Sequence, residues 1–283
     1  MFLNKNKLHQ QIRDWLEEDV GPGDVTSWVT VPEDLTGTGI IHAKGEGILA
    51  GIPVLQAVFS VVDPSVVIQT RISDGEVLTK GTIIAELSGN IRSILTGERI
   101  ALNLLQRLSG IATKTNRLVL AARPYNANVR VVEARKTTPG LRMLEKYAVR
   151  VGGGNSHRYG LFDAVLIKDN HIKAAGGLKQ AVESARAGIP HTMKIEVEVE
   201  SITQVEEALE AKADIIMFDN MPLDTMRHAI ALIGDQAITE ASGGITIDNI
   251  AEVAGLGVNV ISMGSLTYSV NNVDISLDLF NKK

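Results

Sequence analysis

The spacing of apolar and polar positions changes about two-fifths of the way along the 283-residue chain. Near the start, Leu8, Ile12, Trp15 and Leu16 recur at helical spacing, which predicts a helix with one apolar face. Between about residues 38 and 89, short apolar runs separated by glycines indicate strands and tight turns. The longer apolar run GIPVLQAVFSVVD within that stretch predicts a helix between the strands.

From about Ala127 onward, strand-like and helix-like segments alternate. The strand candidates are VRVVEARK, DAVLIKD, MKIEVEVE, ADIIMFDN, QAITEASGG and VNVISMGS. Helical spacing predicts helices over Leu141–Val149, Leu178–Ala187, Ile202–Ala211, Leu223–Ile233 and Ile247–Ala254. Repeated strand–helix units produce a parallel sheet, and this many units favour a barrel. The alternation in EVEVE predicts glutamates that point into a polar barrel interior or mouth.

Composition and charge narrow the class of protein. Hydrophobic residues make up 45% and charged residues 22% of the chain, as in globular proteins generally. The net charge of −5 argues against nucleic acid or an anionic membrane surface as a partner. The chain has no cysteine, which excludes disulfides and thiolate chemistry. Because it has neither a spanning apolar run nor a signal-like start, we expect a cytoplasmic protein.

Each of the six predicted strands ends in a charged residue or a glycine turn. The residues at these ends are Arg135 and Lys136, Lys168, Glu198, Asp219, Ser242–Gly244 and Met263–Ser265. The carboxyl ends of barrel strands face one mouth, where active sites of such folds are built. The sequence therefore predicts a converging site at these positions.

The charges in this predicted site indicate a small, strongly anionic ligand. Arg135, Lys136, Arg158 and Lys168 supply cations, and His157 follows a triple glycine that permits close backbone approach. The turns SGG and MGS on the last two strands are typical of a phosphate site, whereas either alone would be an ordinary tight turn.

Two acidic residues, Glu198 and Asp219, lie in this otherwise cationic mouth. Carboxylates in such a place suit Mg²⁺, which takes one or two of them together with substrate phosphate oxygens. The alternative is that they pair with the adjacent lysine and arginine side chains, and the two roles are compatible.

Many collinear motifs resemble the quinolinate phosphoribosyltransferase family. They include EARKTTPGLRMLEKYAVRVGGGNSHRYGLFDAVLIKDNHI, EEDVGPGDVTS, AKGEGILAG, GERIALNLLQRLSGIAT, KIEVEVES, IIMFDNM, EASGGI and VISMGSLT. The resemblance implies an N-terminal α/β sandwich (residues 1–110, rejoined by a tail at about 270–283) and an open, seven-stranded α/β barrel (residues 111–269). It also implies that quinolinate and phosphoribosyl diphosphate give nicotinate mononucleotide, CO₂ and diphosphate, with Mg²⁺, in NAD biosynthesis.

The resemblance also implies a role for each matching residue. A quinolinate pocket is implied for Arg99, Arg135, His157, Arg158 and Lys168. Contacts to the ribose, the diphosphate and its metal are implied for Lys136, Glu198 and Asp219, and a phosphate cradle for Ser242, Gly243, Gly244, Met263, Gly264 and Ser265. Arg99 lies before the barrel, so the family implies a homodimer, or a higher oligomer, in which it enters the neighbouring subunit's site.

The chain departs from the family's pattern at three positions near these residues. Ala134, Val151 and Ser156 stand where relatives often have Thr, Cys and Asn. None of these changes removes a charge that the chemistry needs.

Three other functions remain open from the sequence alone. A related phosphoribosyltransferase acting on another ring acid would share the fold and most of the motifs. A Schiff-base aldolase would use Lys168 as its carbonyl-trapping lysine. DGEVLTKGTIIAEL resembles the hairpin of lipoyl and biotinyl carriers, although Lys44 lacks the expected hairpin-tip setting.

Overall fold

The computed structural model describes residues 3–280. In chain order, its first elements are α1 (Lys5–Val20), α2 (Val25–Thr30), β1 (Thr36–Ala43), β2 (Gly47–Ile48), α3 (Ile52–Val62), β3 (Val67–Thr70), β4 (Val77–Leu78), β5 (Ile83–Asn90) and α4 (Ile91–Ala122). The following elements are β6 (Arg130–Val132), α5 (Arg142–Val151), β7 (Val165–Ile167), α6 (Asp169–Ala175), α7 (Leu178–Gly188), β8 (Ile195–Val199) and α8 (Ile202–Glu210). The last are β9 (Ile215–Asp219), α9 (Leu223–Ile233), β10 (Ile238–Ser242), α10 (Ile250–Gly255), β11 (Val260–Ser262), α11 (Ser265–Tyr268) and β12 (Ile275–Phe280).

The chain forms two compact units. The first comprises the chain up to Lys114, the segment Pro139–Gly153 and the chain from Ser269 onward, and the second comprises Thr115–Thr138 and Gly154–Tyr268. The sequence placed this boundary at 110/111 and assigned the helix at 141–149 to the barrel, whereas α5 belongs to the first unit.

The first unit is built on an antiparallel sheet with strand order β12-β1-β5-β3, beside the small β2–β4 pair. The C-terminal strand β12 pairs with β1 along its length, from Thr38 opposite Phe280 to Ala43 opposite Ile275. The tail predicted to rejoin this unit thus forms an edge strand, and residues 281–283 lie outside the described residues. α3 contributes a largely apolar face to the core, including the fully buried Phe59.

The second unit is an open α/β barrel with a parallel sheet in the order β6-β11-β10-β9-β8-β7. Within residues 3–280 this sheet has six strands, not the seven that the family resemblance implied. An isolated parallel bridge between Val132 and Asn155 continues the pairing beside β6 without reaching strand length. The segment before His157 is therefore held against the sheet, although it is not a strand.

The register of the barrel strands separates polar from apolar side chains. Glu198 lies opposite Met217, and Glu240 also lies opposite Met217. Since side chains alternate along a strand, Glu196, Glu198, Asp219, Glu240 and Ser242 share one face. The other face carries buried apolar side chains, namely Val197, Val199, Ile216, Phe218, Ala241 and Ile261. The prediction that the glutamates of EVEVE point inward is confirmed for Glu196, which is 3% exposed.

Two elements differ from the sequence prediction. β6 ends at Val132, so Arg135 and Lys136 lie in the loop that follows the strand rather than on it. The 32-residue helix α4 was not predicted as one element, because its pattern GERIALNLLQRLSGIAT includes two glycines. Close packing explains why these two helical positions are glycine. A Cβ on Gly97 would lie 2.7 Å from the Phe59 ring, and a Cβ on Gly110 would lie 2.3 Å from the backbone oxygen of Asn271.

Candidate active site

Lys168 and Glu198 form an ion pair at the ends of neighbouring strands. Lys168 directly follows β7 and caps α6, where its backbone N–H donates to Nδ1 of His171 at 3.0 Å. Its ammonium group contacts the Glu198 carboxylate, and the two side chains are 44% and 16% exposed. Two residues that the sequence predicted for the site, Lys168 and Glu198, therefore form an ion pair with each other.

His157 lies over a group of buried glutamates inside the barrel. Its Nε2 is 3.2 Å from Oε2 of Glu196 on β8 and 3.3 Å from Oε1 of Glu240 on β10. Its backbone N–H donates to Oε1 of Glu133, which follows β6, at 3.2 Å. Glutamates from three strand regions thus fix both the backbone and the ring of His157.

The contacts of His157 favour a proton on Nε2 of its ring. The Glu196 and Glu240 carboxylates raise its pKa to about 10, although burial acts in the opposite direction. The backbone N–H of Arg158 points at Nδ1 from 2.8 Å, which disfavours a second proton on that nitrogen. These two influences disagree on whether the ring is charged, but both leave Nε2 protonated and facing the carboxylates.

Burial and the adjacent Glu240 raise the pKa of the Glu196 carboxyl, and burial is the larger cause. The hydrogen bond from His157 lowers it. Burial outweighs the contact with His157, so the Glu196 carboxyl is harder to ionise than an exposed glutamate.

Arg158 and Arg135 lie close enough to repel each other. Burial and the charge of Arg135 lower the pKa of the Arg158 guanidinium, while Glu196 and Glu198 raise it. One guanidinium nitrogen of Arg158 donates to the carbonyl oxygen of Ala164 at 3.0 Å. The predicted cations therefore converge, and the interior glutamates offset their repulsion.

Lys136 lies against the turn after β11. Thr267 donates its hydroxyl to the carbonyl oxygen of Lys136 at 2.8 Å and ties the loop to α11. A Cβ on Gly264 would lie 2.8 Å from Cδ of Lys136, so glycine leaves room for the lysine side chain. The backbone N–H of Met263 donates to the Val132 carbonyl oxygen at 2.9 Å, which fixes the start of this turn.

The second glycine turn follows β10. Gly243 and Gly244 have φ angles of +88° and +61°, which favour glycine. The backbone N–H of Asn220 donates to the Ser242 carbonyl oxygen at 3.0 Å, and a Cβ on Gly243 would lie 2.2 Å from the Asn220 side-chain oxygen. Ser242 also lies opposite Asp219 in the sheet register, so this turn adjoins the end of β9.

Arg99 belongs to the first unit. It lies on α4 with its side chain 61% exposed, and its guanidinium is 3.7 Å from the carboxylate of Glu98, the preceding residue. The other predicted residues all belong to the second unit.

Three residues of the site were missed in the sequence, and a fourth, Glu196, was predicted to point inward but was given no role. Glu133 and Glu240 are single acidic residues inside apolar strand patterns, which is itself a signal because buried carboxylates require partners. Asn220 has a φ of +53°, and asparagine tolerates this conformation better than most residues. The sequence FDNM could have indicated it.

Fold and site together define the class of the protein. A parallel barrel collects arginine, lysine and carboxylate side chains, with two glycine turns, at the carboxyl ends of its strands. These features define an α/β-barrel enzyme whose candidate site lies at the carboxyl ends of the barrel strands.

Comparison with known proteins identifies the family. The profile described as the C-terminal domain of quinolinate phosphoribosyl transferase matches residues 111–278, and the N-terminal domain profile matches residues 24–109. The chain is 47% identical to a probable nicotinate-nucleotide pyrophosphorylase (carboxylating) of Bacillus subtilis, covering 98% of this chain and 95% of the relative. A protein of the same description from Methanocaldococcus jannaschii is also 47% identical, over 93% of this chain and 94% of the relative. The chain therefore belongs to the quinolinate phosphoribosyltransferase family, as its motifs predicted.

Solved structures agree with this assignment. The crystal structure of NadC from Streptococcus pyogenes matches with a TM-score of 0.96 at 41% identity, with 100% of both chains covered. The nicotinate-nucleotide pyrophosphorylase from Francisella tularensis matches with a TM-score of 0.93 at 38% identity, covering 99% of this chain and 98% of that one. Within residues 3–280, no helix is both long and apolar enough to cross a membrane.

Proposed function

We propose that this protein transfers the phosphoribosyl group of phosphoribosyl diphosphate to quinolinate, with decarboxylation, to give nicotinate mononucleotide, CO₂ and diphosphate. The observation that carries the proposal is 47% identity, over nearly the whole chain, to relatives described by this activity. The convergence of Arg135, Arg158 and Lys168 in one barrel supports it, because quinolinate carries two carboxylates on adjacent ring carbons.

The cations that follow β6 and flank β7 suit the dicarboxylate. Arg135 and Arg158 can each form two parallel hydrogen bonds to a carboxylate, and Lys168 supplies a point charge. Lys168 is paired with Glu198 in the free protein, so substrate binding would exchange or share that partner. His157 belongs to the same group, held between Arg158 and the interior glutamates.

The glycine turns after β10 and β11 suit the phosphoribosyl substrate. The turns at Ser242–Gly244 and Met263–Ser265 follow adjacent strands and would present backbone N–H groups to the 5′-phosphate. Lys136, held beside Gly264, would stabilise the charge that accumulates on the departing diphosphate.

Mg²⁺ fits the acidic pair at this mouth. Glu198 and Asp219 lie on the same face of adjacent strands and are partly exposed, as a cation that retains water and phosphate oxygens requires. When bound, Mg²⁺ would neutralise part of the diphosphate charge.

The reaction needs positioning and electrostatic stabilisation more than a nucleophile from the protein. Glu198 and Asp219 would stabilise positive charge at ribose C1 as its bond to diphosphate breaks, and the pyridine nitrogen attacks that carbon. The cationic ring nitrogen then stabilises the carbanion formed when the adjacent carboxylate leaves as CO₂, and this carbon takes up a proton to give nicotinate mononucleotide. Holding the two substrates in contact supplies a large part of the rate.

A homodimer with shared sites would explain Arg99. Its exposed position on α4 is compatible with a role in a second subunit's site, while Glu98 offers the alternative of a pair within its own helix. Arg99→Ala and Lys136→Ala subunits, each nearly inactive alone, can be mixed and allowed to exchange. If Arg99 acts in the partner's site, about half of the dimers are mixed, each with one intact site, and about a quarter of wild-type activity returns. No recovery after exchange confirmed by mass spectrometry would contradict sharing.

Direct turnover tests the proposed reaction. The protein is incubated with quinolinate, phosphoribosyl diphosphate and Mg²⁺, and nicotinate mononucleotide and CO₂ are measured. Nicotinate, which lacks the 2-carboxylate, should be a poor substrate, because the cations that would pair with that carboxylate lose their partner. Comparable turnover of nicotinate would contradict the proposed dicarboxylate pocket.

A further inference from the structure

The ring of His157 has no nitrogen directed at a substrate. Nε2 faces Glu196 and Glu240 inside the barrel, and Nδ1 faces the backbone N–H of the next residue. A histidine that contacted a substrate carboxylate directly would present an N–H to the mouth. The ring instead lies between the buried acidic face of the sheet and the residue that follows it in the chain.

The contacts around His157 also fix Arg158. The backbone N–H of Asn155 donates to the Val131 carbonyl oxygen at 2.8 Å, which anchors the segment to β6 two residues before the histidine. Glu133 accepts the backbone N–H of His157, and Nδ1 of the ring accepts the N–H of Arg158. These bonds fix the backbone of Arg158, from which its guanidinium reaches the carbonyl oxygen of Ala164 at 3.0 Å.

We propose that Glu196 and Glu240 are positioning residues for quinolinate binding: they hold the imidazole of His157 from inside the barrel, and the ring in turn orients Arg158 beside Arg135. The inference rests on the proposed function, because Arg158 is oriented to bind the two carboxylates of quinolinate. It assigns a purpose to two glutamates that are each 3% exposed and that no step of the chemistry uses.

The same three residues could be read as a metal site, because their ligand atoms lie within 4.8 Å of one another. A metal bound at Nε2 requires a lone pair on that nitrogen and a proton on Nδ1. The N–H of Arg158 occupies the direction in which that Nδ1 proton would point. The geometry therefore favours a hydrogen-bonded histidine over a metal-ligating one.

Glutamine replacements separate positioning from packing. Glu240→Gln and Glu196→Gln preserve side-chain size but replace a carboxylate acceptor with a weaker, neutral amide. We expect the KM for quinolinate to rise at least about fivefold in each variant, as for the loss of one charge-assisted hydrogen bond. The KM for phosphoribosyl diphosphate and kcat should each stay within about twofold of wild type, because only binding of the dicarboxylate is disturbed.

Glu145→Gln provides a matched control. Glu145 is also buried, and its Oε1 accepts a hydrogen bond from Nε of Arg107 at 3.0 Å. Unlike Glu196 and Glu240, it belongs to the first unit. Its replacement should lower the urea midpoint of unfolding while leaving the quinolinate KM unchanged. If all three variants raise both KM values together, the glutamates of the barrel are structural and the proposal is overturned.

A double-mutant cycle tests whether the glutamates act through the histidine. Glu240→Gln combined with His157→Asn should bind quinolinate no more weakly than His157→Asn alone, because the glutamate has no ring left to hold. Additive losses would overturn the proposal. An inactive wild-type protein would instead refute the proposed function, so the two failures are distinguishable.

The position of the ring proton can be checked without turnover. The chain has 6 histidines, so ¹⁵N-histidine spectra with His157→Asn as the assignment control can resolve this ring. We expect Nε2 to be protonated in the wild-type protein without substrate. An unprotonated Nε2 would contradict the pairing of the ring with Glu196 and Glu240 and overturn the proposal.

Discussion

Replacing Lys168 with methionine should separate its proposed function in binding from its contribution to stability. Methionine keeps an unbranched side chain and removes only the charge. The contact to α6 uses the backbone N–H of Lys168, so the helix keeps its cap. What is lost is the ion pair with Glu198, whose two side chains are 44% and 16% exposed. Solvent screens such a pair, and we expect the free energy of unfolding to fall by less than about 1 kcal/mol.

The expected loss in activity is much larger. In the complex, Lys168 would face a substrate carboxylate in a site that excludes much of the solvent. Removing one partner of such a pair costs about 2–5 kcal/mol. This corresponds to a fall in kcat/KM for quinolinate of about 30-fold to several thousand-fold, at 1.36 kcal/mol for each factor of ten.

The assay compares Lys168→Met with Lys179→Met, a lysine of the same barrel that pairs with Glu210 at 2.6 Å on an exposed helix. Urea unfolding measures stability, and initial rates at varied quinolinate measure kcat/KM. Lys179→Met should leave kcat/KM at the wild-type value. The reasoning is refuted if Lys168→Met keeps kcat/KM within about threefold of wild type, because the residue would then contribute no more than a screened surface charge.

Three further predictions follow from the two glycine turns and one buried carboxyl. Gly243→Ala should destabilise the fold more than Gly257→Ala, as measured by urea unfolding. Both residues have a φ of +88°, but only the Cβ at Gly243 would meet a side chain, that of Asn220 at 2.2 Å. Equal losses of stability would show that backbone strain alone matters. Gly264→Ala should lower kcat about tenfold with little change in the urea midpoint of unfolding, because the new Cβ would displace the Lys136 side chain. An unchanged kcat would show that Lys136 does not contribute to the reaction. Burial raises the pKa of Asp74 in the folded protein above its usual 3.8, so ionisation of this carboxyl opposes folding. The stability of wild type relative to Asp74→Asn should therefore fall as pH rises from about 4 through the folded pKa and then level off, and a pH-independent difference in urea midpoints would contradict this.

The helices and strands of the barrel could be predicted because their burial follows simple periodicity. The helix predicted at Leu223–Ile233 has these bounds in the structure, and the strand ends place Lys168, Asp219 and Ser242 at one mouth. The long α4 could not be predicted in the same way. Its glycines are required by close packing with residues distant in the sequence, and no local pattern encodes that contact.

The charged residues of the site could be named from the sequence, but their partners could not. Lys168 and Glu198 are thirty residues apart and pair only because β7 and β8 are neighbours in the sheet. The sequence suggested that His157 would face the ligand, whereas its ring nitrogens face Glu196, Glu240 and a backbone N–H. Ring orientation depends on three-dimensional contacts that residue type and spacing do not specify.

The largely buried cluster of Glu196, Glu240 and His157 affects how this protein can be engineered for thermal stability. Burying charged groups is costly, and replacing such a cluster with well-packed apolar side chains is often neutral or stabilising by about 1–4 kcal/mol. A search for stabilising substitutions would therefore select leucine or methionine at Glu196, Glu240 and His157. The resulting protein would melt later and bind its substrate poorly. Selection for thermal stability and selection for turnover act in opposite directions at these three positions, and a library should leave them unchanged.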